Sequence, residues 1–178
     1  MSRINTPSVA SATGTAAEVF AEIKKAAGKV PNTFAAIGAL NPEALRAMLA
    51  ADGVLAAGSL SAPDRETIKL VVSEVAGCDY CVAAHSLLGK MAGVKPEALK
   101  QIRAGQPSGD AKRDALVRFV RTLQQTSGTI SDESYAAIRA AGYTEAQLVD
   151  IALAITTIVF TNVFNRINDT ALDFPRVA

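Results

Sequence analysis

Tryptophan is absent from these 178 residues, histidine occurs once and cysteine twice. Aromatic residues make up 5% of the chain, and the formal net charge is +1. Two cysteines cannot build the disulfide framework of a small secreted domain. A bridge between positions three apart closes too small a loop to brace a fold. Near-neutral charge, with Lys and Arg scattered, gives no electrostatic grip on nucleic acid, so no such partner is expected. The apolar core of the last element, Ile151 to Phe164, is fourteen residues long and rich in threonine. That is short of the roughly 20 residues a membrane span requires, so we expect a buried helix near a subunit contact and no membrane partner. The start, Met1-Ser2-Arg3-Ile4-Asn5-Thr6-Pro7, lacks the apolar region of a signal peptide, and a cytoplasmic location is expected.

What the chain has in quantity is apolar side chains, 49% of all residues. At this length one domain is expected, burying roughly 70% of its unfolded surface. The apolar excess fits a homo-oligomer that hides surface between subunits. Residues 1–13, rich in Ser, Thr and Pro, read as an irregular arm, and residues 14–178 as one helical domain. Ala16 to Ala27 carries Val19, Phe20 and Ile23 on one face and stops at Gly28. Val30-Pro31-Asn32 turns the chain into a short apolar segment around Phe34 and Ile37. Asn41 before Pro42 starts a helix that ends near Gly58. Ser61, with an acid at Asp64, starts another that runs to Gly77. Later helices span Asp110 to Gln125, Ser131 to Gly142, and Thr144 to about Asp169. No stretch shows strand alternation, so the fold is expected to be all-α. The text around Gly93 loosely echoes that around Gly142, as a repeated helix–Gly–helix joint would.

The chemistry is concentrated in Gly77-Cys78-Asp79-Tyr80-Cys81-Val82-Ala83-Ala84-His85. Cys78 and Cys81 are three apart and Cys81 and His85 four apart, so all three share one helical stripe. Cys78 is expected in the first turn, where free N–H groups favour a thiolate. His85 can take a proton from Cys81, and the two sulfurs are close enough to form a disulfide. The preceding helix offers Glu66 and Glu74 as a relay acid. Folded back antiparallel, Glu66 lies about 16 Å along its helix and His85 about 10 Å along the next, a gap that a side chain and one water can span. Glu74 would sit by the turn beside Cys78, and spacing does not choose between them. Asn162 and Asn165, polar in an apolar helix, either line the pocket or, as such residues more often do, satisfy backbone groups or one another, and they are left out of the site. Rival readings are two buried cysteines acting as small hydrophobes, or a zinc site completed by a carboxylate or water.

Glu66, eleven intervening residues, then Cys78-x-x-Cys81-x-x-x-His85 resembles the motif of the AhpD-like alkylhydroperoxidases of the carboxymuconolactone decarboxylase superfamily. The likeness extends through Gly93. It continues loosely in Val30-Pro31-Asn32-Thr33-Phe34 and in Asn165-Arg166-Ile167-Asn168-Asp169 and Asp173-Phe174-Pro175, which are similar to the peroxidase-related subgroup. The resemblance implies an AhpD-like helical domain, assembly as a trimer or hexamer, and reduction of organic hydroperoxides through the cysteine pair. Cys81 would be oxidised to sulfenic acid, Cys78 would donate a proton and then close the disulfide, and His85 with Glu66 would relay protons through water. No bound cofactor is expected, electrons coming from a lipoyl-bearing partner or another dithiol. The alternatives are a non-catalytic redox sensor or oligomeric adaptor, and a lactone-acid decarboxylase, which does not need a cysteine pair. One departure stands out: the family's best-studied type carries a second histidine immediately before the second cysteine, where this chain has Tyr80. A phenol donates a hydrogen bond but is a poor base near neutral pH, which implies weak peroxide turnover or a different substrate.

Overall fold

The computed structural model describes residues 2–177, and every regular element within them is helical, as expected. Met1, first in the expected arm, and Ala178, last in the expected domain, lie outside the described residues. The helices are α1 (Gly14–Ala27), α2 (Asn32–Leu40), α3 (Pro42–Ala57), α4 (Ala62–Ala76), α5 (Asp79–Met91), α6 (Pro96–Ala104), α7 (Ala111–Gln125), α8 (Asp132–Ala140) and α9 (Glu145–Asn168). The apolar segment around Phe34 closes into α2, with Pro31 as its N-cap.

Local side chains begin most of these helices. Asn41 accepts the Ala44 N–H, Ser61 the Asp64 N–H and Ser131 the Ser134 N–H, while Thr144 and Gln147 form a reciprocal capping box. Each cap contributes about 1 kcal/mol. The Gly93 and Gly142 joints close alike, with Val94 N–H on Gly89 O at 2.9 Å and Tyr143 N–H on Ile138 O at 3.4 Å.

α4 is the hub, packing most extensively on α5, α7 and α9. Its Ile68, Leu70, Val71 and Val72 are all buried, because neighbours cover more than one side of the helix. A smaller cluster of Val19, Phe20, Ile23, Ile37, Leu45 and Met48 joins α1, α2 and α3. Among the arm residues, Arg3 N–H donates to Asn168 O at 2.6 Å and Ile4 N–H to Asn168 Oδ1 at 2.9 Å, so the arm is pinned to the end of α9. By length and composition alone the 24-residue α9 could cross a membrane. Here it packs against α2, α3, α4 and α5, with Ile151, Ala154 and Ile158 buried. Its far side leaves Val149 70%, Val163 47% and Ile167 58% exposed.

Two glycines separate backbone need from tolerance. Gly77 ends α4 in the left-handed region (φ +64) with open space around it, whereas Gly53 lies exposed inside α3, also in open space. Gly77→Ala should therefore destabilise by about 1–2 kcal/mol. Gly53→Ala should stabilise by about 1 kcal/mol. Urea unfolding of both variants checks the pair, and a neutral Gly77→Ala would contradict this account of the turn.

Candidate active site

Gly77 turns the chain between α4 and α5 and delivers Cys78 to the start of α5. Cys78 stands just outside the helix as its N-cap, a correction to its expected place in the first turn. The reason is local: its sulfur accepts the Cys81 N–H at 3.4 Å, one of the donors that a helix start leaves unsatisfied. Both cysteines are free and buried, and their sulfurs lie 2.7 Å apart, within reach of an S–H···S hydrogen bond.

The same bond separates the two thiols. Donation from Cys81 pulls the Cys78 thiol down to about 7 from its ordinary 9.0, against burial, with help from the Cys81 N–H and the carboxamides of Asn162 and Asn165. Cys81, which gives up that bond and faces the Cys78 charge in a buried place, is pushed upward. The resting negative charge therefore belongs on Cys78.

His85 lies one turn beyond Cys81, and its Nδ1 is 2.8 Å from Glu66 Oε2. The contact is direct, so the expected bridging water is not needed. Further along α5, Gly89 is packed tightly against α6: a Cβ there would come within 2.9 Å of Leu99 Cδ2, while Glu66 Cβ at 3.8 Å would be in ordinary contact. Burial raises the Glu66 carboxyl, but His85, Lys69 and Arg65 outweigh it and hold it below its usual 4.5. Glu74 is turned elsewhere. It accepts from Arg103 Nε at 2.9 Å and, with Gly77 and Asp79, lines a separate cavity of about 220 Å³.

Tyr80 is a buried structural donor. Its hydroxyl donates to Asp173 Oδ1 at 2.6 Å and accepts the Thr33 N–H at 3.3 Å, while its ring meets Phe174 edge-on at 5.4 Å. Burial and the Asp173 carboxylate push the phenol upward, which keeps it protonated. Sequence reasoning missed Thr33 and Asp173, and it weighed but left out Asn165, whose Nδ2 donates to Cys81 Sγ at 3.2 Å. The signal for Asn165 was its polarity inside an apolar helix.

Cys81, His85 and Asn165 open onto a cavity of about 520 Å³ at the seam between the two core clusters. Phe34, Leu49, Leu88, Met91 and Phe174 make much of its wall apolar. Two lysines reach it, each already paired: Lys69 with Asp52 at 2.7 Å and Lys29 with Asp173 at 3.0 Å. Among the described residues no group of three or more His, Cys, Asp or Glu side chains is gathered to hold a metal ion.

Residues 42–113, from the start of α3 into α7, match the carboxymuconolactone decarboxylase family. That segment contains Glu66, Cys78, Cys81 and His85. The chain superposes on an alkylhydroperoxidase AhpD core, an uncharacterized peroxidase-related protein from Ralstonia eutropha JMP134, with a TM-score of 0.84 and 24% identity over 97% of this chain and 92% of that one. A peroxidase-related protein from Silicibacter sp. TM1040 gives 0.80 and 22% over 96% and 91%. A cysteine-to-alanine variant of the debrominase Bmp8, in complex with 2,3,4-tribromopyrrole, gives 0.79 and 18% over 97% and 94%. No curated protein matches the chain. Over residues 42–113 the chain is thus similar to the carboxymuconolactone decarboxylase family, and its fold is the all-helical AhpD-like one.

Cys78 is an acid whose folded pKa is lowered. Its contribution to stability is complete above its ordinary value of 9.0 and is lost as pH falls through about 7. Urea unfolding of the reduced protein should therefore show stability rising between those values, and Cys78→Ser should lose that rise. Parallel profiles for the two proteins would place the thiolate elsewhere.

Proposed function

We propose that the protein is a cysteine-based reductase of organic hydroperoxides, recycled by an external dithiol. The observation that carries the reading is a dithiol pair of which Cys81 opens into an apolar cavity that also contains the His85 ring paired with Glu66. In this scheme Cys78 takes the proton of Cys81, and the Cys81 thiolate attacks the terminal oxygen of ROOH. The O–O bond breaks, Cys81 becomes sulfenic acid, and the departing alkoxide takes a proton from the Cys78 thiol or the His85–Glu66 pair to leave as ROH. Cys78 thiolate then attacks the sulfenic sulfur. Hydroxide leaves and is protonated to water, and a disulfide remains. A dithiol donor, lipoyl-bearing or otherwise, returns two electrons and two protons.

The cavity's size and apolar wall favour a bulky organic hydroperoxide over hydrogen peroxide. A lactone acid is anionic, and Lys29 and Lys69 on the wall are already paired, which weighs against the decarboxylase reading. Free thiols of this kind suit a reducing compartment, in line with the expected cytoplasmic location. We place the subunit contact of a trimer or hexamer on the exposed apolar side of α9.

The test counts thiols in the denatured protein before and after cumene hydroperoxide, then after dihydrolipoamide. Both thiols should vanish together and return with the dithiol, and Cys81→Ser should abolish turnover. Glu66→Gln should lower the rate by about 10²-fold, the scale of general-base assistance. Cumene hydroperoxide should be consumed at least about tenfold faster than hydrogen peroxide, a factor worth about 1.4 kcal/mol of apolar contact. Thiols that survive the peroxide, or a Cys81→Ser variant with wild-type turnover, would end this reading. Oxidation without multiple turnovers, with a changed elution volume, would favour the redox sensor. 2,3,4-Tribromopyrrole, bound by the Bmp8 variant of the same fold, belongs in the assay as a competing acceptor.

A further inference from the structure

A sulfur that becomes negative while almost wholly buried must find most of its hydrogen-bond donors in the protein. Cys81 is 2% exposed, and its own backbone N–H is already given to Cys78. Its neighbour Cys78 is itself a competing negative charge. His85 commits Nδ1 to Glu66. The amide group of Asn165, 3.2 Å away, is directed at the Cys81 sulfur and outweighs the lesser help of the Asn162 carboxamide, whose Nδ2 is given to Ser73 Oγ at 3.1 Å.

We propose that the Asn165 carboxamide is a catalytic group that holds negative charge on Cys81 as it reacts, and that Thr33 and Tyr80 position it. With its N–H₂ on the sulfur, Asn165 leaves Oδ1 facing Thr33, whose hydroxyl donates to it at 2.8 Å. Asn165 in the reverse orientation would set a carbonyl oxygen against a thiolate. Thr33 is in turn held by Tyr80. Pro31, the N-cap of α2, provides no side-chain cap, so the Thr33 N–H would be left unsatisfied in the first turn. The Tyr80 hydroxyl accepts it at 3.3 Å and donates a hydrogen bond to Asp173 Oδ1 at 2.6 Å. A continuous hydrogen-bonded chain thus runs from Asp173 through Tyr80, Thr33 and Asn165 to the reacting sulfur. Tyr80 acts as the cap that fixes a donor and needs no basicity, which accounts for a phenol at the position where a histidine was looked for.

This inference deepens the reading of the site as a reacting dithiol, but it does not depend on peroxide being the substrate. The charged and titratable groups around the pair are Cys78 and His85 on α5, Glu66 and Lys69 on α4, Asp52 on α3, and the Lys29–Asp173 pair beside Tyr80. None of these is altered by substitution at Asn165 or Thr33.

The experiment is carried out in a Cys78→Ser background, where Cys81 is the only thiol. Thiolate absorbance near 240 nm and the rate of iodoacetamide modification are followed against pH for the parent, Asn165→Asp, Asn165→Ala, Thr33→Val, Tyr80→Phe and Ser86→Ala. The Cys81 midpoint should rise by about 1–2 pH units in Asn165→Ala, as expected for loss of a hydrogen bond to a charge, and further in Asn165→Asp, where a carboxylate also repels the thiolate. It should rise by a smaller step in Thr33→Val, by less again in Tyr80→Phe, and not at all in Ser86→Ala. Ser86 is buried on the same helix and does not line the cavity, so it controls for general loosening. With both cysteines present, oxidation of the pair by cumene hydroperoxide should slow in the same order. A midpoint within about 0.3 unit of the parent in Thr33→Val overturns the inference whatever the stability of Asn165→Ala, and the same result in a folded Asn165→Ala does so too, since that interval is well under the loss expected of one such bond. If the midpoints shift while the wild type ignores hydroperoxides, the peroxide reading falls and the role of Asn165 stands. Normal peroxide turnover with unmoved midpoints removes that role and leaves the peroxide reading in place.

Discussion

Two buried sulfurs 2.7 Å apart can share one negative charge but not carry two, and much of the structure around them serves that limit. The start of α5 supplies an N–H to Cys78, the end of α9 supplies an amide to Cys81, and α4 supplies a carboxylate to the histidine one turn further along. Each contribution comes from a different element, so the charge is well placed only when α4, α5 and α9 are in register. Their packing on the α4 hub is therefore part of the chemistry as well as of stability.

The seam position has a similar logic. The α1–α3 cluster is small, and the larger core is built on α4 through α9. A cavity within either core would cost packing energy in proportion to its volume. Between them it can open without breaching a single packed layer. It takes an apolar wall from both sides, and the sulfur is set where the two meet.

The helices and several of their caps were legible because both are local. A period of 3.6 and an Asn, Ser or Thr just ahead of it announce a helix start, as at Asn41, Ser61 and Thr144. The Cys78, Cys81 and His85 stripe was legible for the same reason. Glu66 and Glu74 lie on one helix, and which of them meets His85 is decided by how α5 packs back along α4, a matter of packing that no spacing records. Asn165, Thr33 and Asp173 were hidden for a further reason. Asn165 is 84 residues from the sulfur it serves, Thr33 is 132 from Asn165, and Asp173 is 93 from Tyr80. In a single sequence such residues look like an amide at rest in an apolar helix, a helix-start threonine and an acid in an irregular tail.

That distance along the chain also sets an order of events. Synthesis runs from the amino end, so Cys78 and Cys81 are made well before the amide that faces them, and domains fold as their last required segments emerge. During that interval the nascent chain has both thiols, the α5 start and its histidine, but not the donor from α9. The pair is thus born unfinished and matures only when α9 docks.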